Sequence, residues 1–91
     1  MLSEVKDYLK ITWDDEDLSL QGIIERGKNN LESLTGTELD FEKEGQPKSL
    51  LLDYCRYAYN NALEYFEENF HKEILRLQLM EAVKADARQE E

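Results

Sequence analysis

The chain has 91 residues, 41% of them hydrophobic and 35% charged, a size that fits one domain. Its 21 acidic and 11 basic residues give a net charge of −10. With no basic cluster, tight binding to nucleic acid or to an anionic membrane is not expected. No apolar run approaches the roughly 20 residues that cross a bilayer, and a signal-peptide core is absent, so we expect synthesis in the cytoplasm. The single Cys55 cannot form an internal disulfide and is predicted to be a core thiol.

A short first helix is predicted over residues 3–10, with Ser3 as its N-cap. Its apolar positions share one side: Leu2, Val5, Tyr8 and Leu9. The helix should end near Lys10, because poor helix formers follow. Residues 12–15 resemble a capping box, and the acidic residues after them suit the positive end of the next helix dipole.

The second helix is predicted over residues 15–35, with one apolar face made of Leu20, Ile23, Ile24, Gly27, Leu31 and Leu34. Gly27 lies inside this face, where the missing side chain permits close helix packing. Gly36 suits the left-handed residue that ends a helix. Residues 37–46 are predicted to form a polar loop, with Leu39 and Phe41 anchored on the core.

The third helix, predicted over residues 47–67, opens at Pro47 and carries two apolar faces. The broad face contains Leu50, Tyr54, Tyr57, Ala58, Asn61, Ala62 and Tyr65, and we assign it to the core. The narrow face contains Leu52, Tyr59 and Phe66, spaced by seven residues. Such a helix must be covered from two sides, either by the rest of its own domain or by another chain.

The last helix is predicted over residues 70–87, after a break between residues 68 and 71 that lets both stretches face one core. One continuous helix of about forty residues is the open alternative, because no glycine or proline interrupts the sequence there. The apolar residues of the last helix point in nearly every direction, as expected for a helix with partners on more than one side. We expect the polar tail to fray from about residue 85. The sequence therefore predicts an all-α fold, a compact bundle of four or five helices in a single domain over residues 1–91.

No reactive or metal-binding pattern stands out. The run Asp14, Asp15, Glu16 and Asp17 fails as a calcium loop, because Ser19 occupies the position that requires glycine. His71 is the only histidine, too few for a metal site with Cys55. We predict no enzyme, no cofactor and no metal.

Apolar residues that a single helical domain does not readily cover form our candidate interface, and we hypothesise that they contact a partner or another copy: Trp13, Leu52, Tyr59, Phe66, Phe70, Leu77, Leu79 and Met80. For the narrow face of the third helix, simple contact with the N- or C-terminal helix is the open alternative. Tyrosine suits an interface edge, because its ring packs while its hydroxyl stays hydrated.

The order of these features resembles a known family. EVKDYLKI, an acidic connection, DLSLQGIIERGKNNLESLTG, a polar loop, and an aromatic-rich helix opened by Pro47 are similar to the small head–tail connector proteins of tailed bacteriophages and prophages. These are often labelled DNA-packaging proteins. The resemblance covers residues 4–66, and LRLQL at residues 75–79 also looks like members of that family.

The resemblance implies an α-helical subunit without catalytic residues, made in the bacterial host cytoplasm and placed at the head–tail junction of the virion. Such subunits form rings, usually about twelvefold, beneath the portal protein. They extend the DNA channel and provide a platform for stopper or tail-completion proteins. A ring subunit has two different neighbours, which would cover the excess apolar surface. Asp14, Asp15, Glu16 and Asp17 are then candidates for a channel lining that lets DNA pass without binding.

Two other readings stay open. One is an acidic helical regulatory module, such as an antirepressor or DNA mimic, that occupies the groove of a basic protein. The other is a helical domain in which both apolar faces of the third helix are internal.

Overall fold

The structure, a computed structural model, describes residues 1–89 and confirms the all-α class. Five α-helices and one 3₁₀ turn follow each other in chain order: α1 (Leu2–Leu9), α2 (Asp17–Thr35), α3 (Gln46–Tyr59), the 3₁₀ turn (Leu63–Tyr65), α4 (Phe66–Asn69) and α5 (His71–Gln89). The single-domain assignment and the fraying of the tail stay predictions. The last two residues of that tail, Glu90 and Glu91, lie outside the described part.

Both capping predictions at the N-terminal end are wrong. The N-cap of α1 is Met1, and Ser3 lies exposed inside the helix. The helix ends at Leu9, and the next residue, Lys10, takes a left-handed conformation with φ of 61°. Helix α2 begins two residues later than predicted, at Asp17, without a side-chain cap. The acidic residues near its start instead contact side chains elsewhere in the chain, as described below.

Helices α2 and α3 pack against each other at Gly27, which is buried as predicted. A Cβ at this position would lie 2.7 Å from Cδ1 of Leu51 and 2.7 Å from Cδ1 of Tyr54. The bare backbone therefore lets the two helices approach closely. Gly36 ends α2 with φ of 71°, and its N–H donates to the carbonyl of Glu32 at 2.8 Å, which confirms the predicted C-terminal cap.

The third helix is shorter than predicted, because α3 ends at Tyr59. Asn61 is left-handed, with φ of 57°, and the N–H of Ala62 returns to the carbonyl of Tyr57 at 2.8 Å. Asparagine tolerates this conformation better than most residues, so the chain turns here without glycine. Tyr65 consequently lies outside α3 and is 54% exposed, which corrects its assignment to the core face.

The predicted break between residues 68 and 71 is present but slight. Helix α4 ends at Asn69, and Phe70 has φ of −111° and ψ of 21°. The N–H of Phe70 still donates to the carbonyl of Phe66, and the N–H of Ile74 donates to the carbonyl of Phe70, each at 2.9 Å. Helical hydrogen bonding thus continues across the break. The unpredicted turn at Asn61 is what separates α3 from the last two helices.

Phe66 lies in the centre of the core. Its ring makes edge contacts with Tyr54 and Tyr57, at centroid distances of 5.4 and 6.0 Å, and lies 5.2 Å from the ring of Phe70. The remaining core side chains come from all parts of the fold, including the predicted loop anchor Phe41: Val5, Ile24, Leu31, Leu50, Leu51, Ile74 and Leu77. Cys55 is fully buried, which confirms the core thiol, and burial raises its pKa to about 12.

Candidate interaction surfaces

The acidic connection between α1 and α2 binds a lysine of the same chain. Nζ of Lys6 lies 2.6 Å from Oδ1 of Asp14 and 2.8 Å from Oδ1 of Asp17. The hydrogen bonds that Lys6 donates to Asp14 and Asp17 raise the pKa of Lys6, and the bond that Asp14 accepts lowers the pKa of Asp14. The two carboxylates therefore anchor the connection to α1, although the Asp14 side chain stays 86% exposed.

Glu16 ties the same connection to the end of α3. Its Oε1 accepts a hydrogen bond from Nε1 of Trp13 at 2.6 Å and from the hydroxyl of Tyr59 at 3.0 Å. The bond to Glu16 raises the pKa of Tyr59. Of the four acidic channel candidates, Asp15 alone is exposed without a partner in residues 1–89.

Helix α1 packs against α3 and is held there by two polar contacts. Lys48 pairs with Glu4 of α1 and with Glu44, the latter at 2.6 Å. One turn further along both helices, the hydroxyl of Tyr8 donates to Oδ1 of Asp53 at 2.6 Å. The hydrogen bond with Lys48 lowers the pKa of Glu4, and the two carboxylates together raise the pKa of Lys48.

Leu52, on the narrow face of α3, lies one helical turn beyond Lys48 and is partly buried against the core. Tyr59, further along the same face, is held by Glu16. The α1 helix and the acidic connection thus flank these two residues within one chain, which is the alternative that the sequence left open.

Phe66 and Leu77 do not lie at the surface. Each is 1% exposed, so the structure corrects their place among the interface candidates and assigns them to the core of this chain. The sequence grouped Phe66 with Leu52 and Tyr59 on one continuous helix, but α3 ends before Phe66. Leu77 points inward from α5. Phe70 is partly buried against the same core. Trp13, Leu79 and Met80 keep large exposed areas.

An apolar stripe runs along the outer side of α5. Leu75, Leu79 and Val83 are 46%, 60% and 68% exposed, and their spacing of four residues places them on one face. Lys72 and Arg76 border this stripe, are exposed, and make no ion pair within residues 1–89. We call these five residues the α5 stripe. The inward side of the helix carries Ile74, Leu77 and Glu81.

A groove of about 620 Å³ separates the second half of α5 from the loop before α3. Its apolar lining comes from Leu39, Pro47, Leu77, Met80 and Ala87. Its charged lining comes from Glu38, Asp40, Lys43, Glu44, Glu81 and Lys84. We call this feature the acidic groove. Gln46, at its edge, donates to the carbonyl of Glu73 at 3.0 Å, while its buried Oε1 has no partner within the described residues.

The sequence did not predict two of these features. Leu75 and Val83 were not among the interface candidates, although their spacing from Leu79 would have linked them. The acidic groove could not be anticipated, because it depends on where the loop of residues 37–45 lies against α5. Within residues 1–89, acidic, cysteine and histidine side chains form no cluster that could hold a metal, and no described helix is long and apolar enough to span a membrane.

Comparison with known families gives one result that spans most of the chain. The family model described as Phage gp6-like head-tail connector protein matches residues 1–87. No curated protein and no solved structure matches the chain.

Proposed function

The chain belongs to the family of phage gp6-like head-tail connector proteins, and from this membership we propose that it is a structural subunit of a ring at the head–tail junction of a virion. The match over residues 1–87 carries the proposal, because it covers all five helices except the last two residues of α5. It also favours a connector over an acidic regulatory module. In this role the protein works by self-association and docking, without catalysis.

Exposed apolar surfaces support self-association, and the ring of about twelve copies is what the family resemblance implies. A ring subunit contacts one neighbour on each side through two different surfaces, and the chain has exposed apolar groups in more than one place. Trp13 lies at the acidic connection, while Leu79 and Met80 lie on α5. We propose that these three residues contribute to subunit or partner contacts. We propose that Tyr59 and Phe70, which are partly buried, contribute at the edges of those contacts.

The charge of the chain supports a DNA channel that repels its cargo. A net charge of −10 disfavours binding of phosphates, so DNA would pass without tight binding. We propose that Asp15 and the exposed carboxylate of Asp14 face the channel. Glu16 and Asp17 face it less directly, because they also bind Tyr59 and Lys6 within the chain.

The proposed location defines the partners. The ring would lie beneath the portal protein, extend its channel, and present a platform to stopper or tail-completion proteins. It would be made and assembled in the cytoplasm of the bacterial host.

The proposal is tested by sedimentation velocity and native mass spectrometry of the chain alone and with the portal protein of the same genome. We expect a complex that holds many copies of the chain per portal ring. A monomer in the absence of portal agrees with assembly on a template. Persistent absence of any complex with the portal would contradict the proposal, and a one-to-one complex with a basic protein would favour the regulatory module.

A further inference from the structure

Two exposed surfaces of this chain are complementary to each other, and no other element covers either of them within residues 1–89. The α5 stripe is apolar with a basic border, since Lys72 and Arg76 lie beside Leu75 and Leu79. The acidic groove has an apolar floor that includes Leu39 and Pro47. The stripe therefore supplies basic and apolar groups, and the groove supplies carboxylates and an apolar floor.

The charges of the groove are acidic in balance. Glu81 pairs with Lys84 at 3.1 Å, so these two lining groups largely neutralise each other. Glu44 is paired with Lys48 at 2.6 Å, which leaves the carboxylates of Glu38 and Asp40 beside the one ammonium group of Lys43. A basic surface would be attracted to this rim, and Lys72 and Arg76 are exposed basic groups that make no ion pair within the described residues.

From this complementarity we propose that the α5 stripe of one copy docks in the acidic groove of the next copy. The apolar residues of the stripe would cover the groove floor, and Lys72 and Arg76 would meet Glu38 and Asp40 of the neighbouring copy. The inference rests on the proposed function, which requires self-association, and goes beyond it by naming the two surfaces that meet.

The positions of the two surfaces favour a head-to-tail contact over a twofold dimer. The α5 residues that line the groove, such as Met80 and Lys84, are each one position away from the stripe residues Leu79 and Val83. Neighbouring helix positions differ by about 100° around the axis, so the two surfaces face different directions. Stripe against stripe would also oppose the basic pairs of two copies. A head-to-tail contact leaves one stripe and one groove free at the ends, and closes only as a ring.

The limited extent of this contact determines how it should be measured. One helix face in one groove lies at the weak end of protein interfaces, so association would depend on concentration or on a template. Disulfide trapping detects such a contact even when the equilibrium favours monomer. The native Cys55 is fully buried and does not compete.

The test uses the full chain with one new cysteine on each surface, Leu79→Cys on the stripe and Lys43→Cys in the groove. Under mild oxidation at high concentration, the double variant should give a ladder of covalent oligomers on a non-reducing gel. Either single variant should stop at a dimer at most. The matched control pairs Leu79→Cys with Ser33→Cys, an exposed position on α2 outside the groove. A ladder of equal yield in the control would mean random collision and would overturn the inference.

Charge reversal provides a second test of the same two surfaces. Adding Lys72→Glu and Arg76→Glu to the double-cysteine variant should lower the ladder yield severalfold, because an acidic stripe would then meet an acidic rim. Adding Glu38→Lys to the charge-reversed variant should restore part of the ladder yield. An unchanged yield after reversal would overturn the inference.

The failures of the two proposals are distinguishable. If the wild-type chain assembles on the portal but the Lys43→Cys/Leu79→Cys variant gives no ladder, this interface is wrong and the connector function stands. If the ladder forms but no portal complex does, the interface stands and the proposed function is wrong.

Discussion

Gly27 lies where α2 meets α3, and replacing it with alanine sets two effects of opposite sign against each other. The added Cβ would lie 2.7 Å from Cδ1 of Leu51 and from Cδ1 of Tyr54. Overpacking of this kind costs about 1–3 kcal/mol. Alanine in place of glycine inside a helix returns about 1 kcal/mol. The steric cost should exceed the gain, because the Tyr54 ring is buried and held edge-on against Phe66 at 5.4 Å.

We therefore expect Gly27→Ala to lower the free energy of unfolding, by up to about 2 kcal/mol. Gly22→Ala, five residues earlier in the same helix, is the matched control. Its Cβ would meet only Nη1 of Arg26, at 3.3 Å, the mobile end of a long side chain. That variant should gain up to about 1 kcal/mol. Urea unfolding followed by circular dichroism measures both. A Gly27→Ala protein as stable as the Gly22→Ala protein would refute the close approach of α2 and α3.

Three further outcomes are expected. Phe66→Ala should lower the free energy of unfolding by about 3–5 kcal/mol. The neighbouring change Tyr65→Ala should alter that free energy by less than about 0.5 kcal/mol. Similar losses for the two variants in urea unfolding would contradict the placement of Phe66 in the core. The Cys55 thiol should react with a thiol reagent only on unfolding, because it is buried and its pKa is raised to about 12; rapid reaction of the native protein would show that the core opens. Because the lysines paired with Glu4 and Asp14 hold the pKa of each carboxyl below its ordinary value, the unfolded chain binds more protons in acid, and stability should fall as the pH drops below about 5. A Glu4→Gln/Asp14→Asn variant should lose less stability over that range, and an unchanged pH profile would contradict the role of these pairs.

Local sequence signals predicted the middle of the fold well. The apolar spacing of α2, Gly36 after it and Pro47 near the start of α3 act within a few residues, and the structure confirms each. The end of α3 was missed because no glycine or proline lies between residues 50 and 66. The available signal was the pair Asn60 and Asn61, since asparagine is tolerated in the left-handed conformation.

The candidate surfaces were harder to predict, because they depend on contacts between distant parts of the chain. The spacing of Leu52, Tyr59 and Phe66 implies one face only on a continuous helix, and the turn at Asn61 removes that condition. The acidic connection looked free to line a channel, yet Lys6 binds Asp14 and Asp17 from 8 and 11 residues away. Such pairings follow from the tertiary arrangement and not from a local pattern.

Electron cryomicroscopy of the chain bound to the portal protein of the same genome tests the central claim most directly. The account predicts a closed ring of about twelve copies, coaxial with the portal and continuous with its channel. Within this ring, α5 of each copy should lie against the loop before α3 of the next. Single copies scattered on the portal, or no added density at its tail-facing end, would contradict the account.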